Sequence, residues 1–262
     1  MPRSTFYYRA QKHAETLSDE KIVQLIREIQ SELPGYGYRR VTHELRRRGY
    51  PINHKRVARV MRMHCLGVKP RRHFMRMTNS NHDQPAFPNL YRNVIPAKPD
   101  TVWVGDITYI RLAYGFCYLA VILDACSRKV VGYAISHQID TQLVLAALDA
   151  AVLSRKPAPG LIFHSDRGTQ YSSEKYRHAL AQFGLQGSMS SPGNPYQNAQ
   201  AESFMKTVKV EEVYAAGYQS IQDVAAQLPR FIEDIYNARR LHSALGYLPP
   251  DEFEANLTRL AA

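Results

Sequence analysis

Nine residues constrain this chain more than any others: Val102-Trp103-Val104-Gly105-Asp106-Ile107-Thr108-Tyr109-Ile110. β-Branched and aromatic side chains fill the run, as a strand buried in a sheet requires, and one carboxylate interrupts it. An ionised aspartate in that setting is costly unless it is paired or bound to a cation. A second apolar run, Leu161-Ile162-Phe163-His164-Ser165-Asp166, reads as a buried parallel strand ending in a carboxylate. Arg167-Gly168-Thr169-Gln170-Tyr171 then breaks it. Strand-like runs at 102–112, 116–125 and 129–137 are joined by turns at Ala113-Tyr114-Gly115 and Ser127-Arg128, predicting an antiparallel meander. Asp124 ends the second run and reads as a turn or strand-end residue. A helix over 141–154 places Leu143, Leu145, Leu148 and Val152 inward. The strand to Asp166, a helix at 173–183, a short strand near 186–190 and a last long helix at 221–239 complete an α/β pattern with a mixed sheet.

The stretch from Ser191 to Lys209 opens on turn residues, Ser191-Pro192-Gly193-Asn194-Pro195, and becomes a run of helix formers. A helix beginning near Tyr196 or Gln197 stacks Asn198, Glu202, Lys206 and Lys209 along one face. Two readings of that face stay open: a solvated surface with a Glu202–Lys206 ion pair, or a site carboxylate followed on its own face by two ammonium groups. Thirty-five residues separate Asp166 from Glu202.

Charge divides the chain. Residues 1–80 carry 18 Lys/Arg against 6 Asp/Glu, while residues 81–262 carry 16 against 17. The excess of positive charge at one end is the footprint of a polyanion-binding module. Ser18 is a fitting N-cap for a helix with Ile22, Leu25, Ile26, Ile29 and Leu33 at helical spacing, stopped by Pro34-Gly35. Val41 to Arg48 and His54 to Met63 make two more short helices. The third puts Val57, Val60 and Met61 on one face and Lys55, Arg56, Arg59 and Arg62 on the other. With Arg39 and Arg40, these form the expected DNA-contacting set of a helix-turn-helix-like domain, phosphate contacts foremost. The division expected is 1–68 as this basic helical domain, 69–100 as a basic linker and 101–262 as the catalytic core with C-terminal helices. Cys65, Cys117 and Cys126 have no Cys-x-x-Cys spacing, and His64, His73 and His82 lack metal-ligand spacing. No apolar run is long enough to cross a membrane. The expectation is a cytoplasmic, nucleoid-associated protein with no membrane partner.

Asp106, Asp166 and Glu202 at this spacing resemble the catalytic triad of the retroviral integrase and transposase superfamily. The words around them narrow the match: Trp103 through Tyr109, His164-Ser165-Asp166-Arg167-Gly168-Thr169-Gln170-Tyr171 and Gly193 through Lys209. With Tyr236-Asn237-Ala238-Arg239-Arg240-Leu241-His242 and Leu245-Gly246-Tyr247-Leu248-Pro249-Pro250, they resemble the second-frame transposases of the IS-three group of bacterial insertion sequences. The resemblance implies an RNase H-like mixed-sheet core behind a small all-α domain. It implies metal-dependent cleavage of DNA at element ends and strand transfer by the 3′-OH, with Asp106, Asp166 and Glu202 as both catalytic and metal-binding residues and Lys206, Lys209 and Asn198 as contacts to the DNA end. It also implies a homo-oligomer on element ends and target DNA, and an upstream-frame partner or fusion. Gln197 stands where this family usually has Asp. The retroviral His-His-Cys-Cys zinc module has no counterpart, since Cys65 is the one cysteine in the N-terminal part.

Phosphodiester transfer needs an activated attacking oxygen and a stabilised leaving oxygen, which two divalent ions about 4 Å apart supply. Mg²⁺, or Mn²⁺ in its place, suits carboxylate oxygen ligands. Two ions are therefore expected, Asp106 bridging them, Asp166 holding one and Glu202 the other. A transposase-derived regulator without chemistry and a host nuclease of the same fold are the alternatives.

Overall fold

The computed structural model describes residues 17–68, 86–92, 94–191 and 198–261. Two compact units, Met1–Lys69 and Pro70–Ala262, divide the chain.

The first unit contains α1 (Asp19–Glu32), α2 (Tyr38–Arg47) and α3 (His54–Met63). Ser18 caps α1, its hydroxyl accepting from Lys21 N at 3.2 Å, and Ile22, Leu25, Ile26 and Ile29 are buried. Asn53 caps α3 in the same way, accepting from Lys55 N at 2.8 Å. The second helix begins three residues before the expected Val41, because the extended Gly37 leaves Tyr38 free to start it and Val41 N bonds back to Gly37 O. Val57, Val60 and Met61 turn inward, as their spacing predicts.

The second unit is built on a five-stranded sheet in the order β3-β2-β1-β4-β5. β1 (Val102–Arg111), β2 (Phe116–Asp124) and β3 (Val130–Ser136) form the antiparallel meander. β4 (Ile162–Ser165) joins β1 in parallel, and β5 (Gln186–Met189) joins β4. Side chains alternate along β1, so Val102 and Val104 enter one core and Trp103 the other. The Trp103 core lies under α4 (Thr141–Arg155) and α5 (Glu174–Gln182). The Val104 core lies under α6 (Ala199–Val208) and α7 (Ile221–Arg230).

Three details differ from the sequence pattern or complete it. The helix expected over 221–239 is α-helical only to Arg230 and continues in wider π turns over Phe231–Asn237. There the Ala238 and Arg240 amides reach back five residues, to Glu233 O and Ile235 O. Asn237 turns its amide onto the sheet's outer strand, accepting from Val130 N and donating to Val130 O, both at 2.9 Å. Within the stretch read as linker, Phe87 occupies space that Gly187 leaves open and lies under the Arg177 guanidinium, 4.6 Å from the ring centre. Leu90 N donates to Ser188 Oγ at 2.9 Å. An edge strand with unpaired backbone needs cover, and residues 87–90 supply it for β5.

Asp124 is buried and builds the β2–β3 turn. Its Oδ1 accepts from the amides of Cys126 (2.9 Å) and Ser127 (2.8 Å) and its Oδ2 from Asp100 N (2.6 Å). Arg155 grips Asp100 and Glu254 together, which docks α8 (Pro250–Ala261) on the same corner. Among the described residues no helix is long and apolar enough to cross a membrane.

Gly132 sets the spacing between β3 and α4: a Cβ there would lie 2.5 Å from Ala147 O and 2.6 Å from Ala151 N. Backbone cannot move aside as a side-chain tip can. Gly132→Ala should therefore cost about 1–3 kcal/mol, read as a lower urea midpoint of the fluorescence of Trp103, the chain's one tryptophan. An unchanged midpoint would show that α4 is free to shift outward.

Candidate active site

The site forms where β1 outruns its parallel neighbour. β2 pairs β1 from Trp103 to Arg111, whereas β4 pairs only Val102, Val104 and the residue between them. Asp106 lies just past that limit and Asp166 one residue beyond the end of β4. Both carboxylates thus sit at the mouth of the same gap. The like charge acts on Asp106, whose carboxyl is pushed up to about 8, first by burial and next by Asp166. The Ile107 N–H, donating to Asp106 Oδ1 at 2.9 Å, and the Lys209 charge work the other way, and Glu202 adds to the rise. Asp166 Oδ1 accepts from Gly168 N at 2.9 Å, and a Cβ at Gly168 would come within 3.0 Å of that oxygen. Glycine is what allows the turn to close so tightly on the carboxylate.

Glu202 occupies the first turn of α6 and is exposed. Asn198, just before that helix, is buried; its Nδ2 donates to Gly105 O at 3.3 Å while its Oδ1 has no hydrogen-bond partner. Of the two readings left open for this face, the Glu202–Lys206 ion pair is not made, and Lys206 is exposed. Lys209 behaves differently. It is half-buried, with Nζ 4.0 Å from the centre of the Tyr109 ring, and burial lowers its pKa against the pull of Asp106. Of the expected set, Asp106, Asp166, Glu202, Asn198 and Lys209 gather around one gap, and Lys206 stays on its rim. Asn194 and Gln197 lie outside the described residues.

Sequence reasoning passed over the residues that brace this gap. His164 is fully buried between Ser188 Oγ (2.8 Å from Nδ1) and Ser190 Oγ (3.0 Å from Nε2), linking β4 to β5 and the start of the loop beyond. A histidine in a four-residue apolar strand was the available signal. Phe163 fills the space over Gly105, where a Cβ would meet its ring at 2.5 Å, and Tyr171 packs beside it.

Of the basic residues in the first unit, Arg56 and Arg59 both pair with Asp19, at 2.8 and 2.7 Å, and Arg56 also holds Leu17 O. Part of their charge is thus spent on joining α3 to the start of α1. Arg39 and Arg40 lie over the Tyr38 and Tyr36 rings. Lys55 and Arg62 are exposed and have no ion pair among the described residues.

The chemistry of the gap fits a hard cation. Its donors are oxygens, one carboxyl is pushed up first by burial and next by neighbouring negative charge, and a buried amide oxygen has nothing to accept. Among the described residues no three His, Cys, Asp or Glu side chains converge into a ready-made metal cage, so these carboxylates would draw together around an ion.

The integrase core domain family matches residues 96–195, a second family of that description matches 183–250, and an HTH-like domain family matches 17–74. The transposase for insertion sequence element IS904 of Lactococcus lactis subsp. lactis (strain IL1403) is 38% identical over 247 residues, 94% of this chain and 96% of the relative. Transposase InsF for insertion sequence IS3A of Escherichia coli (strain K12) is 40% identical over 220 residues, 84% of this chain and 76% of the relative. The chain belongs to the IS3 family of insertion-sequence transposases. Its fold is that of the integrase superfamily: a simian T-cell lymphotropic virus intasome structure superposes with a TM-score of 0.51 at 14% identity, covering 87% of this chain and 74% of that one. The transposase is thereby a DDE-type polynucleotidyl transferase by family, with an HTH-like region ahead of an RNase H-like core.

The raised Asp106 pKa makes a stability prediction. Between about pH 4, the unfolded value, and about 8 the folded transposase holds a proton that the unfolded chain has lost. Metal-free stability should therefore fall as pH rises through that window. Asp106→Asn, which keeps an acceptor for Ile107 N, should raise the thermal midpoint at pH 8 without divalent ions, and the gain should vanish towards pH 4. A midpoint for Asp106→Asn at or below that of the unsubstituted chain at pH 8 would remove the idea of a charge-strained site.

Proposed function

We propose that Asp106, Asp166 and Glu202 are the catalytic carboxylates of this transposase and hold two Mg²⁺ or Mn²⁺ ions while it cleaves DNA at element ends and joins the 3′-OH to target DNA. The observation that carries this reading is that Asp106 and Asp166 share the gap where β1 outruns β4, where burial first and the charges of Asp166 and Glu202 next push the Asp106 carboxyl to about 8. Such crowding destabilises an apo fold and is relieved by positive charge. The ions would supply Lewis acidity to the scissile phosphate and lower the pKa of the attacking hydroxyl.

The chain's own residues do the rest. Lys209, beside Asp106 and over Tyr109, offers a desolvated ammonium to a DNA phosphate entering the gap. Asn198, fixed to the Gly105 carbonyl, presents an amide at the base of α6. Lys206 stands on the rim, where a strand leaving the gap would pass. In the helical domain, 1–68, Lys55 and Arg62 are the leading phosphate contacts, with Arg39 and Arg40 beside α2 and Arg56 and Arg59 contributing the charge that Asp19 leaves over. Of the expected linker, 69–100, residues 87–90 belong with the core, 101–262, because they pack on β5. Assembly as a homo-oligomer on element ends, with an upstream-frame protein or fusion, belongs to the same proposal.

Asp106→Asn, Asp166→Asn and Glu202→Gln should each abolish cleavage and strand transfer on an oligonucleotide end while duplex affinity stays within about twofold. Asp124→Asn, by contrast, should lower the thermal midpoint and leave the chemistry in the folded fraction. If Asp106→Asn still cleaves and folded Asp124→Asn does not, the triad is misassigned.

Binding should also report the helical domain. Lys55→Ala and Arg62→Ala should each weaken binding to unrelated duplexes and flatten the slope of log K against log salt by about 0.9, one released counterion per phosphate contact. A slope unmoved by both substitutions would place the DNA-contacting face elsewhere.

A further inference from the structure

The segment Tyr236–His242 gains a physical role from what its side chains touch. Tyr236 sets its ring edge-on to Phe204, centroids 4.7 Å apart, and Phe204 lies on α6 two residues after Glu202. His242 packs on Tyr236 in turn, at 4.9 Å. Asn237 fastens the segment to β3 through the Val130 backbone. Arg240, 4% exposed, donates from Nε to Glu211 Oε2 at 2.8 Å and from Nη2 to Glu211 Oε1 at 2.7 Å.

Glu211 is the link to the active site. It lies in a π turn, Lys209–Val213, that follows α6 directly and opens with Lys209. A π turn inserts one residue into the helical repeat, has poorer intrinsic stability than α-helix, and recurs at functional sites. It also rotates everything after it relative to the helix before. Lys209, the first residue of that turn, folds over Tyr109 next to Asp106, whereas Lys206, one turn earlier, is exposed. A bidentate arginine–carboxylate pair is the geometry that can hold such a turn in one orientation.

We propose that Arg240 is a positioning residue: through Glu211 it holds the π turn that keeps Lys209 between Tyr109 and Asp106, while Tyr236 steadies the Glu202 helix through Phe204. This inference rests on the reading of Asp106, Asp166 and Glu202 as the catalytic carboxylates. It assigns the C-terminal segment to the geometry of the active site, where a purely structural pair would contribute to stability alone. Breaking a buried ion pair costs stability in either case, so stability cannot decide between them.

The Tyr109 ring offers a readout that can. In the full chain, with lysines labelled by reductive ¹³C-methylation, the methyl resonance of Lys209 should lie upfield of that of Lys206 because it sits over an aromatic face. Tyr109→Leu identifies that displacement by removing it. Arg240→Gln and, independently, Glu211→Gln should collapse the displacement and slow cleavage of an element end by about tenfold or more, since small misplacements at a reacting centre cost rate steeply. The charge-exchanged Glu211→Arg with Arg240→Glu should recover part of both. Trp103 fluorescence shows which variants are folded, and Glu211→Gln, which keeps the shape of the side chain, serves if Arg240→Gln is not. A displaced resonance that persists in a folded variant overturns the proposal, as does a collapsed resonance with cleavage unchanged. Should Asp106→Asn cleave as well as the unsubstituted chain, the carboxylate assignment fails, while the resonance still reports whether Arg240 holds Lys209.

Discussion

Everything at the candidate site depends on one mismatch in strand length. β1 runs ten residues and β4 four, so β4 covers only the beginning of β1. Past Val104 the strand has a neighbour on one side and an open edge on the other. A carboxylate at Asp106 is thereby anchored by continuous pairing to β2 yet faces a gap that no strand fills among the described residues. Asp166 reaches the same gap because the parallel partner stops there, and α6 lays Glu202 across it from the other layer. A sheet of equal strands would bury Asp106 beyond use.

The gap is held open by features that have little to do with charge. Phe163 and Tyr171 each meet Tyr176 edge to face and lie tilted to one another beneath it, and His164 ties the two parallel strands with both ring nitrogens. Rigid aromatic packing fixes the floor, while Asp166 and Glu202 raise the Asp106 carboxyl and the Lys209 ammonium works against them. Stability is given up locally and recovered in the surrounding layers, as is common where a site must bind something charged.

Much of this was legible in the residues. Ser18 announced its helix by chemistry alone, and the β-branched and aromatic run from Val102 to Ile110 announced a buried strand. Asp106 stood out because nothing apolar explains it. What stayed hidden was tertiary in origin. The π turns at Lys209–Val213 and Phe231–Asn237 arise from partners distant in sequence, and helical periodicity predicts plain α-helix there. Arg56 and Arg59 read as a free basic face because their partner, Asp19, is nearly forty residues away. Phe87 looked like linker until β5 supplied the glycine it rests against.

Asn237 has a consequence of another kind. β3 is an outer strand of the sheet, and an outer strand invites pairing with any other extended chain. One side-chain amide here occupies both backbone groups of Val130, imitating a neighbouring strand for the length of one residue, and Tyr133 is engaged a little further on by Glu233. The imitation ends as soon as it begins, so it offers no template of its own for a further strand to extend. For a protein proposed to gather several copies on DNA, this would separate two kinds of self-association: the open-ended growth of sheets is discouraged at this edge, and contact between copies is left to surfaces that can close.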